Sequence, residues 1–238
     1  MTDASGIWAF IPAGGRGLRM QSSVPKQYLL LSGRPVILHT IERLCAHPRI
    51  RGVLVGVSDQ DNHWQRLAPE SGRLPKFLGS SSGGETRAHT VLNGLVQLAN
   101  HAKLEDWALV HDAVRPCVRL DDIDKLISAV DESDGGLLAL PVSDTVKRVD
   151  SAGRVIETIN RQGLWRAATP QMFRIGKLKQ ALEKALSDGV EITDEASAIE
   201  AAGGHPRVVA CHADNIKITL PDDLALAELF LKQQQGSS

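Results

Sequence analysis

Residues Ile7–Met20 read I-W-A-F-I-P-A-G-G-R-G-L-R-M: five apolar residues, a proline, then a loop with glycine at 14, 15 and 17 and arginine at 16 and 19. An apolar run without alternation is how a strand buried on both faces reads. Val53–Val57, Trp107–Val110 and Leu137–Leu140 repeat the pattern. Between these runs the spacing becomes helical. Ile37, Ile41, Leu44 and Cys45 share one face after Gly33 and Pro35; Ile123, Leu126, Ile127 and Val130 share another, with Asp121 or Asp122 as candidate cap; Leu178, Ala181, Leu182 and Ala185 share a third. Strands alternating with helices predict an α/β fold, a mostly parallel twisted sheet covered by helices on both faces. Ligands of such sheets sit at the carboxyl ends of the strands. The chemistry is therefore expected in Pro12–Lys26, Ser58–Asp61, Ser80–Arg87, His111–Pro116 and Pro141–Thr145.

One stretch departs from this alternation. Two β-rich runs between Asp144 and Ile159 flank Ser151-Ala152-Gly153, a turn signal, and many of their side chains are polar. They predict a hairpin projecting from the main sheet, and an isolated hairpin is marginal in water, so a second subunit is expected against it. The 238 residues are read as a single domain, with 142–165 as a protruding dimerisation arm and 233–238 as a frayed polar tail.

Composition removes several functional classes. Aromatic residues are 4% of the chain and 27 basic residues face 28 acidic ones, so neither base-stacking platforms nor a global pull toward nucleic acid is expected. No apolar run approaches the ~18 residues of a membrane span, and Met1–Gly6 does not read as a signal peptide. Cys45, Cys117 and Cys211 are widely spaced, which fits free thiols in a reducing cytoplasm. Cys117 follows Pro116 with no base nearby in sequence and reads as an inert thiol.

Any anion site must then be built locally. Gly14, Gly15 and Gly17 allow a tight turn whose backbone N–H groups converge, and Arg16, Arg19 and Lys26 add fixed positive charge suited to a polyphosphate. Pro25 narrows the approach to Lys26. The loop is not G-x-x-x-x-G-K-[ST], and Met20 stands where a dinucleotide fingerprint needs glycine.

P-A-G-G-R-G-L-R-M together with P-K-Q-Y (25–28) resembles the 2-C-methyl-D-erythritol 4-phosphate cytidylyltransferase family. Further matches follow in order: G-G-E-T-R-A (83–88), V-H-D-A-V-R-P (110–116), D-T-V-K-R (144–148), T-P-Q (169–171), T-D-E-A-S (193–197) and D-N-I-K-I-T (214–219). The resemblance implies a nucleotide-diphospho-sugar transferase fold, a homodimer joined by the arm, and Mg²⁺-dependent transfer of CMP from CTP to 2-C-methyl-D-erythritol 4-phosphate. It implies Arg19 and Lys26 as catalytic cations on the triphosphate. Pro12, Ala13, Gly14 and Gly15 correspond to the phosphate loop, and Gly84, Glu85, Arg87 and Thr90 to the remaining nucleotide contacts. Asp112, Arg115, Thr145, Arg161, Thr169, Thr193 and Lys217 correspond to the methylerythritol phosphate pocket, with Arg161 reaching the partner subunit's site. Asp112 is also the candidate metal contact, although the resemblance implies a magnesium ion held mainly by CTP phosphates. Gly14 stands where the family more often has alanine, a feature shared with ribitol 5-phosphate cytidylyltransferases, so another polyol phosphate is the alternative acceptor. A nucleotide-binding regulatory module without catalysis is the alternative of another class.

The residue types suit the chemistry. A phosphate monoester is mostly dianionic at neutral pH and needs no general base; the obstacle is repulsion between two polyanions, which cations and positioning overcome. Simpler roles exist for several of these residues: Thr193 could cap a helix, Lys217 could be a solvated lysine on a strand, and His111 reads as structural.

Overall fold

The computed structural model describes residues 5–14, 24–130 and 133–236. In chain order the elements are β1 (Ile7–Pro12), β2 (Leu30–Leu31), β3 (Arg34–Pro35), α1 (Val36–Ala46), β4 (Ile50–Val57), α2 (Asn62–Ser71), β5 (Phe77–Ser82), α3 (Arg87–Leu98), β6 (Trp107–Val110), α4 (Leu120–Ala129), β7 (Gly136–Pro141), β8 (Val146–Val149), β9 (Val155–Ile159), β10 (Trp165–Arg174), α5 (Ile175–Ser187), α6 (Glu195–Ala201), β11 (Arg207–Ala210) and α7 (Asp222–Gln235).

Seven strands form one sheet in the order β11-β7-β10-β6-β1-β4-β5. Neighbours are parallel except at β10, which runs antiparallel to both β6 and β7. A proline argues against an interior strand because it cannot donate to the ladder. β10 accommodates Pro170 in a register break between Ala167 and Gln171.

The unbroken apolar runs have a direct cause. Along β1, Ile7, Ala9 and Ile11 pack on the face covered by α1 and α4, whereas Phe10 packs on the face covered by α3, α5 and α6. Both faces are dry, so every strand position is apolar. A third cluster joins Ala227 and Leu231 of α7 to Leu31, Val36, Val114, Cys117 and Ile218. It holds the segment around Lys217 beside the chain leaving β6, where Ile218 N donates to Val114 O at 2.9 Å.

The hairpin forms as its sequence implies. β8 and β9 pair antiparallel in a separate two-stranded sheet, and Gly153 takes φ +76° in the turn. Val149, Val155 and Ile156 are exposed on it.

Three local expectations change. The cap position of α4 is Arg119, without a side-chain cap, because the Asp122 carboxylate is engaged elsewhere, accepting from His212 N at 2.9 Å. Lys217 lies on irregular chain rather than a strand. α7 continues through Gln235, and Gln234 Nε2 donates to Cys117 O and Asp214 Oδ2, both at 2.9 Å.

The Phe10 ring is closely confined between β4 and α3. A Cβ on Gly94 would stand 2.1 Å from its Cε2, and one on Gly56 would stand 2.6 Å from its Cζ. The ring is fully buried and has nowhere to retreat. Gly94→Ala should therefore cost about 1–3 kcal/mol despite alanine's better helix propensity. A urea midpoint at or above the wild-type value would contradict this packing.

Candidate active site

The chain runs from β1 to β4 and β5 on one side, then returns to place β6 on the other. The strand order therefore switches direction beside β1, and the pocket opens at the carboxyl ends there. Pro12, Ala13 and Gly14 line it after β1; Gly84, Glu85, Thr86, Arg87 and Thr90 line it from the loop after β5 and the start of α3; Asp112 follows β6; Lys26 and Lys217 complete the charged wall.

The β1–β5 side is built from backbone. Ala13 N donates to Gly56 O at 2.7 Å and Gly83 N to Val57 O at 2.6 Å, extending the ladders past the strands. Thr90 Oγ1 accepts from Gly84 N and donates to Thr86 O, both at 3.0 Å. A Cβ on Gly84 would lie 2.4 Å from His89 Cβ and 2.9 Å from its carbonyl carbon, so only glycine fits. At Gly14 the nearest atom to such a Cβ is Thr90 Oγ1 at 3.4 Å, an ordinary contact.

Lys26 begins a single 3-10 turn, Lys26–Tyr28. Buried Gln27 donates its amide to Ala13 O at 3.0 Å, tying this turn to the loop after β1. The Tyr28 hydroxyl donates to Asp61 Oδ2 at 2.7 Å, and its ring stacks on His63. Burial, then the bond to Asp61, raises the Tyr28 pKa, so it remains a neutral donor. Two anchors thus hold the turn that presents Lys26.

The β6 side is built from side chains. Asp112 is buried, and its Oδ2 meets Arg115 Nε at 3.1 Å and Lys217 Nζ at 3.0 Å. Arg87 Nη2 stands 3.5 Å from Asp112 Oδ1. Burial opposes ionisation of Asp112, but Arg87, Lys217 and Arg115 together hold its carboxyl well below the usual range. Arg87 binds Glu195 at the start of α6, with Nη2 to Oε2 at 3.1 Å. Its own burial works against the charge, but Glu195 and Asp112 keep the guanidinium protonated.

Thr169, in the β10 register break, accepts from Asp112 N at 2.9 Å and bonds His111 Nδ1 at 3.0 Å. His111 is fully buried, and its Nε2 bonds Arg115 O at 3.0 Å. Burial lowers its pKa to about 4, so it is a neutral structural histidine. Burial pushes the Cys117 thiol up to about 12, consistent with an inert residue.

The expected site residues divide accordingly. Pro12, Ala13, Gly14, Lys26, Gly84, Glu85, Arg87, Thr90, Asp112 and Lys217 line one pocket. Arg87, grouped by the resemblance with the nucleotide contacts, has its guanidinium committed to Glu195 and the neighbourhood of Asp112. Arg115 and Thr169 act on Asp112 without lining the pocket. Thr145, Arg161 and Thr193 are exposed and lie outside it. Asp194, not Thr193, caps α6, forming a reciprocal capping box with Ser197. Gly15 and Arg19 lie outside the described residues.

Gln27, Thr86, Gln171 and Glu195 belong to the arrangement and were missed as site residues. Each sits inside a quoted motif. Gln171 accepts from Ala196 N and donates to Asp194 Oδ2, both at 2.8 Å, joining T-P-Q to T-D-E-A-S.

These residues do not form a magnesium cradle. Three protein cations surround Asp112, two of them on Oδ2, and Glu195 is paired with Arg87, so the two carboxylates do not build the cluster of several open oxygens that a hard divalent ion needs from protein alone. Among the described residues, the group with ligand atoms within 4.8 Å of one another is Asp121, Asp122 and His212, none of which lines the pocket.

Residues 7–233 match the family model of 2-C-methyl-D-erythritol 4-phosphate cytidylyltransferase (IspD). The chain belongs to that family. A relative carrying that name from Hahella chejuensis is 48% identical over 231 residues, covering 95% of this chain and 93% of its own. A crystal structure of 4-diphosphocytidyl-2C-methyl-D-erythritol synthase superposes with TM-score 0.82 at 35% identity, covering 95% of this chain and 99% of the other. The Francisella tularensis 2-C-methyl-D-erythritol 4-phosphate cytidylyltransferase superposes with TM-score 0.79 at 34% identity, covering 95% and 100%. The cytidylyltransferase α/β fold and its mostly parallel sheet are thus shared along nearly the whole chain.

Buried neutral His111 gives a pH signature. Its folded pKa, about 4, lies below the usual 6.5, so only the unfolded chain gains this proton as the pH falls between those values. The contribution to stability is complete above about pH 6.5 and decreases toward pH 4, by about 3 kcal/mol at most. Urea unfolding at pH 7.5, 6 and 5 should show a shallower pH slope for His111→Gln than for the wild type. Equal slopes would contradict the assignment.

Proposed function

We infer that the chain is a nucleotidyltransferase that moves CMP from CTP to 2-C-methyl-D-erythritol 4-phosphate, releasing pyrophosphate, in isoprenoid precursor synthesis. One observation carries the assignment of sides within the site: a backbone-built, glycine-bearing wall holding Lys26 faces the Asp112 cluster with Arg87, Arg115 and Lys217. The first wall suits a triphosphate, the second a phosphorylated polyol.

In the reaction, a phosphate oxygen of the acceptor attacks the α-phosphorus of CTP. A new P–O bond forms as the bond to the pyrophosphate oxygen breaks. The nucleophile is already ionised, so the residues supply position and charge rather than a base. Lys26 and Arg19 neutralise charge on the α-phosphate and departing pyrophosphate. Asp112 accepts from polyol hydroxyls, held by Arg115 and Lys217. Glu85 and Thr90 lie on the nucleotide side. Magnesium belongs with the triphosphate as part of the nucleotide substrate, since the described side chains build no site for it.

The arm completes the assembly. Val149, Val155 and Ile156 are exposed on a hairpin outside the main sheet, and they suit burial against a second copy. Arg161, at the end of that hairpin and outside this chain's own pocket, then serves the partner's acceptor site together with Thr145. The three cysteines are free, and no helix among the described residues is long and apolar enough to cross a membrane; a cytoplasmic enzyme fits both.

Pyrophosphate release with CTP and a panel of polyol phosphates tests the reaction. 2-C-methyl-D-erythritol 4-phosphate should be the preferred acceptor; preference for ribitol 5-phosphate would reassign the substrate, and CTP binding without release under any acceptor would indicate a regulatory module. Lys26→Ala or Arg19→Ala should lower kcat at least 100-fold, about 2.7 kcal/mol of transition-state stabilisation. Near-wild-type turnover in either variant would remove it from the mechanism. Mixing inactive Arg161→Ala and Lys26→Ala proteins should restore activity through heterodimers. Absence of recovery despite demonstrated subunit exchange would show that Arg161 acts within its own chain or not at all.

A further inference from the structure

Glu195 does not line the site pocket, yet its side chain is only 1% exposed and it binds the Arg87 guanidinium through both oxygens. Its position is fixed from two directions. Asp194 caps α6 immediately before it, and Gln171 on β10 clamps the same turn through Asp194 Oδ2 and Ala196 N. The guanidinium is thereby held short of Asp112. Its Nη2 lies 3.5 Å from Asp112 Oδ1, beyond the usual N–H···O range, while Oδ2 is occupied by Arg115 and Lys217.

Two carboxylates thus compete for one planar fork, and a fork can be fully bidentate with only one of them. Glu195 has the closer bonds. We propose that Glu195 is a positioning residue for the acceptor site: it restrains Arg87 so that Asp112 Oδ1 stays available to hydroxyls of the polyol phosphate. The proposal rests on the assignment of the Asp112 side to the acceptor. Without the Glu195 charge, Asp112 at 3.5 Å is the carboxylate left to draw the fork, because nearby Asp194 is engaged by Gln171 and by the α6 cap. A movement of about half an ångström brings Nη2 within hydrogen-bond distance and occupies the oxygen that the acceptor needs.

This restraint differs in sign from simple charge balance. Arg87, Arg115 and Lys217 face Asp112 and Glu195, three cations against two carboxylates. Deleting one negative charge beside a phosphate site would, by electrostatics alone, tighten the anionic acceptor. Loss of the restraint instead weakens it and leaves CTP unaffected.

Steady-state kinetics with CTP and 2-C-methyl-D-erythritol 4-phosphate separate these cases. Glu195→Gln should raise the acceptor KM at least tenfold while the CTP KM changes less than threefold. In the double variant Arg87→Gln/Glu195→Gln the competing fork is gone, and the acceptor KM should fall back below that of Glu195→Gln. Glu195→Asp keeps the charge and draws the guanidinium away from Asp112, so its acceptor KM should match or undercut the wild type. A lowered acceptor KM in Glu195→Gln, parallel rises in both KM values, or a double variant no better than the single one would overturn the proposal. If the glutamine variant does not fold, a raised acceptor KM in folded Glu195→Asp overturns it, and an unchanged or lowered one supports it. Wild-type turnover tests the reaction separately. Should the wild type refuse this acceptor, the Arg87–Asp112 distance in crystals of Glu195→Gln still tests the restraint: contraction to hydrogen-bond length supports it, and an unchanged distance refutes it.

Discussion

The Asp112 carboxylate is the constraint around which the active site is organised. It is buried at the end of β6, where an unpaired charge would cost several kcal/mol. Compensation comes from three separate stretches of chain: Arg87 on α3, Arg115 three residues downstream, and Lys217 before α7. Each cation arrives only if its own element is docked, so forming the ion cluster and assembling the sheet, α3 and the α7 region are one event. The cluster also leaves Asp112 ionised far into acid, as its proposed role of accepting from polyol hydroxyls requires.

Under the proposed assignment, the two halves of the pocket meet different recognition problems. A triphosphate presents many equivalent oxygens, and converging backbone N–H groups can meet them without long side chains. The strand ends and the loops bearing Gly14 and Gly84 line that side with little side-chain bulk, and close packing of Phe10 between Gly56 and Gly94 sets the height of α3 above it. A small polyol has few handles and demands directional contacts. Those come from side chains with their own supporting bonds: Thr169 to the Asp112 backbone, Asn215 to Thr169, and Gln171 to the α6 turn. In the main sheet, β10, antiparallel to both its neighbours, contributes Thr169 and Gln171, which makes it the scaffold of the proposed acceptor half.

Sequence reasoning reached the elements with strong periodicity. β1, β4, β6 and β7 are apolar on both faces, and α1, α4 and α5 each show one apolar stripe. It did not identify β10, because Pro170 contradicts strand propensity and only the register break reconciles them. The arm hairpin was legible from its turn and its β-rich flanks. The simpler reading of Lys217 as a solvated strand lysine arose because alternating Ile216 and Ile218 imitate a strand; the irregular segment instead sends Ile218 into the α7 cluster and Lys217 to Asp112.

The amino-acid order by itself determined the alternation of strands and helices, the hairpin, and through an ordered series of short motifs the family. These are local properties, written in spacing and residue type over a few turns. Only the tertiary structure decided that Arg87 faces Asp112 across from Glu195, that T-P-Q grips T-D-E-A-S, and that His111 is neutral. Those facts depend on which distant segments share a buried, low-dielectric space. Burial sets the strength and partner of every charge, and it emerges only when the sheet brings the segments together.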